Sequence, residues 1–265
     1  MRTPVDAEIA APEFPGSLEW LNAAFIRIQT ELGRHAILVE FWDYARINSL
    51  RTQPYLKAWH ERYAASGLRV IGVHTPGYSF GRERENVERA VEGLGIEYPV
   101  ALDSDYEVWQ IYGNKGWPAR YLFDRAGWLR FVHYGEGEYT ETELVIQELL
   151  HEIEPELSFP APVGALRPED EPGVTMEPQT ADIALPADRD RLELVRDWSD
   201  GGDYIEAADA GAGAQVKSFR AGEAWAVLSG TVEPGLYEAS DGLVEAEDPG
   251  LRLHGFQFTP MAPGE

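Results

Sequence analysis

The first 153 residues alternate between short apolar runs and segments whose apolar positions recur every three or four residues. That is the pattern of strands alternating with helices in an α/β domain. Ala36-Ile-Leu-Val-Glu-Phe-Trp42 is almost continuously apolar, as expected of a strand covered on both faces. From Ser49 to about Ala65, Leu50, Tyr55, Leu56, Trp59 and Tyr63 form one stripe with Lys57, Glu61 and Arg62 between them, which predicts a helix that Pro54 should kink. Gly67 ends that helix, and Leu68 to His74 reads as the next strand. A second helix is predicted over Glu83–Leu94, a short strand over Tyr98–Leu102 and a short helix over Tyr106–Tyr112. Pro118 then heads a strand, Arg125-Ala-Gly127 turns into Leu129–Tyr134, and Thr140 caps a closing helix with Leu144, Ile146, Leu149 and Leu150 inward.

The pattern changes near Pro155. Residues 155–172 are rich in proline and acid and read as a stiff, extended linker. Beyond it, short alternating stretches are separated by Gly, Pro and Asp turns, which predicts an antiparallel sandwich or small barrel over residues 173–262.

The chain has 265 residues and 44% hydrophobic side chains, with eight Trp, twelve Tyr and ten Phe, enough for two cores without staples. A net charge of −24 excludes phosphate-rich partners such as nucleic acid, which need clustered Lys and Arg. Residues 1–157 carry −10 of that charge and the shorter remainder −14. No apolar run approaches the roughly 20 residues that cross a bilayer. The N-terminal stretch, Met1 to Pro12, has acids and prolines where a secretory signal needs a basic start and an apolar core, so the sequence as it stands reads as cytoplasmic.

Separated stretches carry a family likeness: Ala11-Pro-Glu-Phe, Trp20-Leu-Asn, Phe41-Trp with Ile47-Asn48 and Leu50-Arg-Thr, Val70-Ile-Gly-Val-His-Thr-Pro, Leu94-Gly-Ile with Tyr98-Pro-Val, Trp117-Pro-Ala and Gly135-Glu-Gly-Glu-Tyr. In this order they resemble the TlpA/ResA-like branch of the thioredoxin superfamily, and in particular the soluble redox region of DipZ-type proteins. The resemblance implies an α/β thioredoxin-like domain over residues 11–154, then the 155–172 linker, then an all-β, jelly-roll-like sandwich over 173–262 that is similar to carbohydrate-binding modules.

In that family two cysteines flank the Ile-Asn pair. The corresponding residues are Arg46 and Ser49, and the chain has no cysteine. A guanidinium is permanently charged and a serine hydroxyl cannot replace a resolving sulfur, so the resemblance does not carry thiol chemistry with it. The family's His-Thr-Pro-Glu-Phe also becomes His74-Thr-Pro-Gly77-Tyr78. What the resemblance still implies is a groove for a peptide or protein partner, lined by Trp42, Tyr44, Arg46, Trp117 and the cis-proline Pro118, with Tyr78 nearby. Trp42 and Tyr44 equally suit covering the end of the sheet. Arg46 is either a solvent-facing replacement or, beside free helix amides, part of a small anion site, and an acid such as Asp43 would offset its clash with the helix dipole.

Other chemistry is sparse. Ser49 lacks a nucleophile elbow, and the six histidines show no metal-ligand spacing, so no metal and no cofactor are expected. Gly135-Glu-Gly-Glu138 reads as a solvated loop before the last helix. In the second domain Trp198, Trp225, Tyr204 and Tyr237 offer a sugar-stacking platform or, more simply, core, with Trp225 assigned to the core. Two further readings stand beside a redox-inactive partner-binding protein. One is a thiol-disulfide oxidoreductase by family whose cysteines were lost naturally or by design; the other is a carbohydrate binder.

Overall fold

A computed structural model describes residues 1–2 and 8–261. Residues 3–7 of the N-terminal stretch considered for an export signal, and residue 262 of the expected sandwich, lie outside the described residues. Backbone contacts divide the chain into two units. The first is Met1–Asp43, Asn48–Pro76 and Val87–Pro172; the second is Tyr44–Ile47, Gly77–Asn86 and Gly173–Glu265.

The first unit is built on β2 (Ala36–Trp42), every residue of which is buried. It pairs in parallel with β3 (Leu68–His74), from Ala36 opposite Leu68 to Trp42 opposite His74. On its other side it pairs antiparallel with β5 (Ala119–Phe123), which turns into β6 (Leu129–Tyr134). With β1 (Glu19–Leu21) and β4 (Val100–Leu102) the sheet order is β1-β4-β3-β2-β5-β6. Gly72 on β3 is required by its neighbours: a Cβ there would stand 3.0 Å from both Trp42 and Tyr98.

After the one-turn α1 (Ile28–Glu31), helix α2 covers Ile47–Tyr63, starting two residues before the expected Ser49 and running on through Pro54. Helices α3 (Arg84–Gly93), α4 (Glu107–Ile111) and α5 (Tyr139–Ile153) follow in the expected places. Two expectations for α5 need correction. Thr140 lies inside the helix, and the N-cap is Glu138, at φ 52° with no side-chain cap bond. Leu144 faces outward at 42% exposure, and Glu143 is buried in its place. The reason is chemical: the Glu143 carboxylate accepts bonds from Trp59 Nε1 (2.9 Å), the Tyr63 hydroxyl (2.6 Å), Arg62 (3.2 Å) and the Val163 amide (2.8 Å), so its burial is compensated.

Val163 belongs to residues 155–172, which run along the first unit. Phe159 meets Tyr63 edge-on, Gln147 donates to the Pro160 carbonyl, and Tyr55 donates to Asp170 while accepting from the Leu166 amide. Arg51 donates to Glu136 (2.8 Å) and Glu169 (2.7 Å). Glu136, expected in a solvated loop, is thus held in a network, and burial raises its pKa against the pull of Arg51.

In the second unit antiparallel strands form two sheets. One has the order β13-β12-β15-β10-β9, with β7 on β15; the other has β14-β11-β8. Their bounds are β7 Ile183–Ala184, β8 Leu192–Val195, β9 Trp198–Asp200, β10 Ile205–Ala207, β11 Gly213–Val216, β12 Ala224–Ser229, β13 Gly235–Glu238, β14 Leu243–Glu245 and β15 Arg252–Phe258. Gly255 is where β7 crosses β15: a Cβ would lie 2.0 Å from the Ile183 carbonyl oxygen. The core gathers Trp198, Ile205, Leu253, Phe256 and Phe258. Trp225 is not part of it; the ring is half-buried and its Nε1 donates to Glu223 (3.1 Å). On β12 its neighbours Ala224 and Ala226 supply the inward side chains, which leaves the intervening position to the other face.

Candidate functional site

The residues expected at the site divide between the units: Trp42, Ser49, Trp117 and Pro118 lie in the first, Tyr44 and Arg46 in the second.

In the first unit, Trp42 ends β2 fully buried, its ring edge-on to His74 at 5.3 Å. Asp43 follows, also buried, with a carboxylate oxygen 3.5 Å from His74 Nε2. Trp42 therefore covers the sheet, as one of the two readings allowed. Ser49 is buried too, and its hydroxyl accepts the Asp43 amide at 3.3 Å. It acts as a local clamp on the turn. Pro118 follows a cis peptide bond and is buried.

A chain of polar contacts fixes the proline loop against the first turn of α2. Asp103 accepts from the Val108 and Trp109 amides (both 2.9 Å), which anchors α4, and from the Thr75 hydroxyl (3.0 Å). Thr75 in turn offers its carbonyl to Trp117 Nε1 (3.0 Å). The Trp117 carbonyl accepts from Asn48 Nδ2 (2.9 Å), while Asn48 Oδ1 takes the Ser49 amide (2.9 Å). Burial raises the Asp103 pKa, and those donated bonds oppose the rise. Trp117 stays half-buried, 4.5 Å from Trp109 between ring centroids, with Tyr106 against both.

In the second unit, Tyr44 is buried against Phe80. Arg46 keeps 23% of its side chain exposed, lies over the Tyr78 ring at 5.0 Å and stands 3.8 Å from Asp182. The anion-site reading needed a free amide next to it. Instead the Ile47 amide donates to Gln257 Oε1 at 2.8 Å, and Gln257 Nε2 donates to the Ala45 carbonyl at 2.6 Å.

Three groups escaped the sequence reading. Gln257 sits on the last strand, where nothing in the sequence ties it to a turn 210 residues earlier. Glu40 lies inside the apolar run of β2; its carboxylate oxygens have no hydrogen-bond partner, and Arg120 Nε is 3.7 Å away. Complete burial pushes its pKa up to about 8 despite the Arg120 charge. A buried acid with a pKa of about 8 is suited to trading protons near neutral pH, yet this chain has no thiol for it to serve. The third group is Ser229, His254 and Asp203. Ser229 Oγ is 2.8 Å from His254 Nε2, and His254 Nδ1 is 3.6 Å from Asp203. Burial opposes ionisation of Asp203, but His254 and two bonds from Ser79 outweigh it and hold the carboxyl well below its usual range. Ser229 and His254 are 5% and 1% exposed, so neither reacting atom is presented to solvent. The set satisfies a buried imidazole rather than exposing a nucleophile.

Of the four aromatics offered as a sugar platform, Trp198 is buried and donates to the Gly213 carbonyl, Tyr237 packs against the core, and Arg252 lies over Tyr204 at 4.7 Å. A cavity of about 330 Å³ in the first unit is lined by Lys57, His60, Glu61, Gly95, Glu97 and Tyr98, none of them an expected site residue. Among the described residues, no cluster of His, Asp or Glu is arranged to hold a metal ion, and no helix is long and apolar enough to cross a membrane.

No family model matches the sequence. The chain is 39% identical to DipZ of Mycobacterium tuberculosis over 173 residues, 64% of this chain and 25% of DipZ; it spans about a quarter of that relative's length. Against the thiol-disulfide oxidoreductase YkuV of Bacillus subtilis it is 27% identical over 143 residues, covering 54% of this chain and 95% of YkuV. The solution structure of a thioredoxin-like protein in its oxidised form superposes with a TM-score of 0.50 at 24% identity, over 54% of this chain and 95% of that one. The chain thus has a thioredoxin-like fold over about half its length, is similar to DipZ over 64% of it, and has no cysteine.

Proposed function

We propose that this chain works without electron transfer, holding a protein or peptide partner rather than reducing one. The observation that carries the first half is the chemistry of the turn. Arg46 can neither attack nor leave, Ser49 is buried as a backbone clamp, and no cysteine thiol exists elsewhere to substitute. An oxidoreductase role, the one named for YkuV and ResA, therefore has no nucleophile in this chain.

The holding half rests on the surface beside Pro118. Of the expected groove residues, Trp42, Tyr44 and Pro118 are buried, while Trp117 keeps a partly open ring. With Trp109 and Tyr106 it makes a half-exposed aromatic cluster fixed from below by Thr75 and Asn48. Rigid aromatics of this kind are the side chains on which protein contacts concentrate their energy. The placement of Arg46 over Tyr78 beside Asp182 leaves it a supporting part at most. Carbohydrate binding by the second unit has less behind it, since Trp198 and Tyr237 are committed to the core.

The test uses reduced, carboxymethylated lactalbumin as an unfolded, thiol-blocked probe. Saturable binding that is indifferent to dithiothreitol and weakened at least about tenfold by Trp117→Ala is expected, a loss in the range of an interface anchor. Absence of binding, or binding that Trp117→Ala leaves unchanged, would remove this reading.

A further inference from the structure

Gln257 lies on β15 at 2% exposure, and its carboxamide uses both of its donors and its acceptor. Oε1 takes the Ile47 amide at 2.8 Å; Nε2 donates to the Ala45 carbonyl at 2.6 Å and to the Tyr78 hydroxyl at 3.1 Å. All four residues belong to the second unit. A buried primary amide is costly unless its groups are paired, and this one is paired on both sides.

The pattern on the turn is specific. The carbonyl of residue 45 and the amide of residue 47 flank Arg46. They are the two groups through which a residue in parallel pairing would receive its neighbour's N–H and C=O. Gln257 supplies one N–H and one C=O to the same pair from a single side chain. We infer that the Ala45–Ile47 turn is a carboxamide-binding site, and that Gln257 of this chain is its resident ligand. An extended partner cannot pair with the backbone around Arg46 while that side chain is seated. The contact available to a partner is then the Trp117 cluster of the first unit. The inference stands on the two turn bonds alone and survives if the lactalbumin probe fails to bind.

The experiment empties the site and refills it. Gln257→Ala removes the headgroup, and acetamide restores the same donor and acceptor. Hydrogen exchange of the Ile47 amide is expected to accelerate at least about tenfold in Gln257→Ala, the scale of one lost buried hydrogen bond. Acetamide at about 100 mM, a level set by the weak affinity open to so small a ligand, should slow it again. N,N-dimethylacetamide, which accepts but cannot donate, should not, and the parent protein should respond to neither. Unchanged exchange in Gln257→Ala, or equal effects of the two amides, overturns the inference. If Gln257→Ala does not fold, Gln257→Glu decides. Its ionised carboxylate would face the Ala45 carbonyl oxygen, so its folded pKa lies above the unfolded value and stability is lost as pH rises through that window. Its melting-temperature deficit relative to the parent should shrink between pH 7 and about pH 5 as the carboxyl regains a proton to donate. A deficit independent of pH overturns the inference.

Discussion

Glu40 is a buried acid whose surroundings set its protonation. Its carboxylate is fully buried, unbonded and close to Arg120, and its pKa rises from 4.5 to about 8. The raised value fixes the sign of its contribution to stability. Between about pH 4.5 and 8 the folded protein binds a proton that the unfolded chain has released, so this term lowers stability as pH rises through that window. Glu40→Gln should flatten that part of the pH profile of urea unfolding and leave the variant more stable than the parent at pH 8.5. A parent profile that is flat from pH 5 to 8, or a Glu40→Gln profile with the same slope, would show that Glu40 ionises normally. Arg46 is the counterpart on the turn: a permanent charge that rests on Tyr78 and near Asp182.

At the scale of elements, α5 and its surroundings show what an apolar stripe conveys and what it conceals. Ile146, Leu149 and Leu150 are buried as the spacing implies. Leu144 and Glu143 exchange places because four donors, one of them from residue 163, make a carboxylate the better inward side chain. No local pattern shows donors that arrive from α2 and from the segment after the helix. Glu143→Ala should therefore cost about 2–4 kcal/mol in urea unfolding, since it strands buried donors and a charge. Arg62→Ala, which removes the most exposed of those partners, should cost less than about 1 kcal/mol. The reverse order would mean that the cluster is held by its surface charge. On β15, Gly255→Ala should separate β7 from its neighbour, because the added methyl would overlap the Ile183 carbonyl. The expected readout is faster amide exchange at Leu185, whose N–H donates to the His254 carbonyl on β15, with β12 unaffected; uniform acceleration across the sheet would instead mean global loss of stability.

For the whole molecule, the alternation of strands and helices, the change of pattern near Pro155 and the short strands beyond it were legible because each depends on neighbours in sequence. The strand β2 is apolar along nearly its whole length and is buried along all of it, and the Trp117-Pro118 bond is cis as the family likeness implied. The site was legible only in part. That the chain has no thiol follows from composition; that Gln257 fills the turn does not, because strand spacing gives no sign of which distant side chain meets it. Nor could spacing show that Ser49 clamps Asp43 or that Asn48 holds the carbonyl before Pro118. The outcome is a thioredoxin-like fold whose turn at residues 45–49 is held by hydrogen bonds from Gln257 and Ser49.

Whether the turn is still built for two sulfurs is measurable by restoring them in Arg46→Cys with Ser49→Cys. After mild oxidation, thiol titration and non-reducing mass analysis should show a monomer that has lost both free thiols to one internal disulfide, while the unmodified chain shows no change. Two thiols that stay titratable, or that join separate molecules, would mean that positions 46 and 49 do not occupy the redox pair's places.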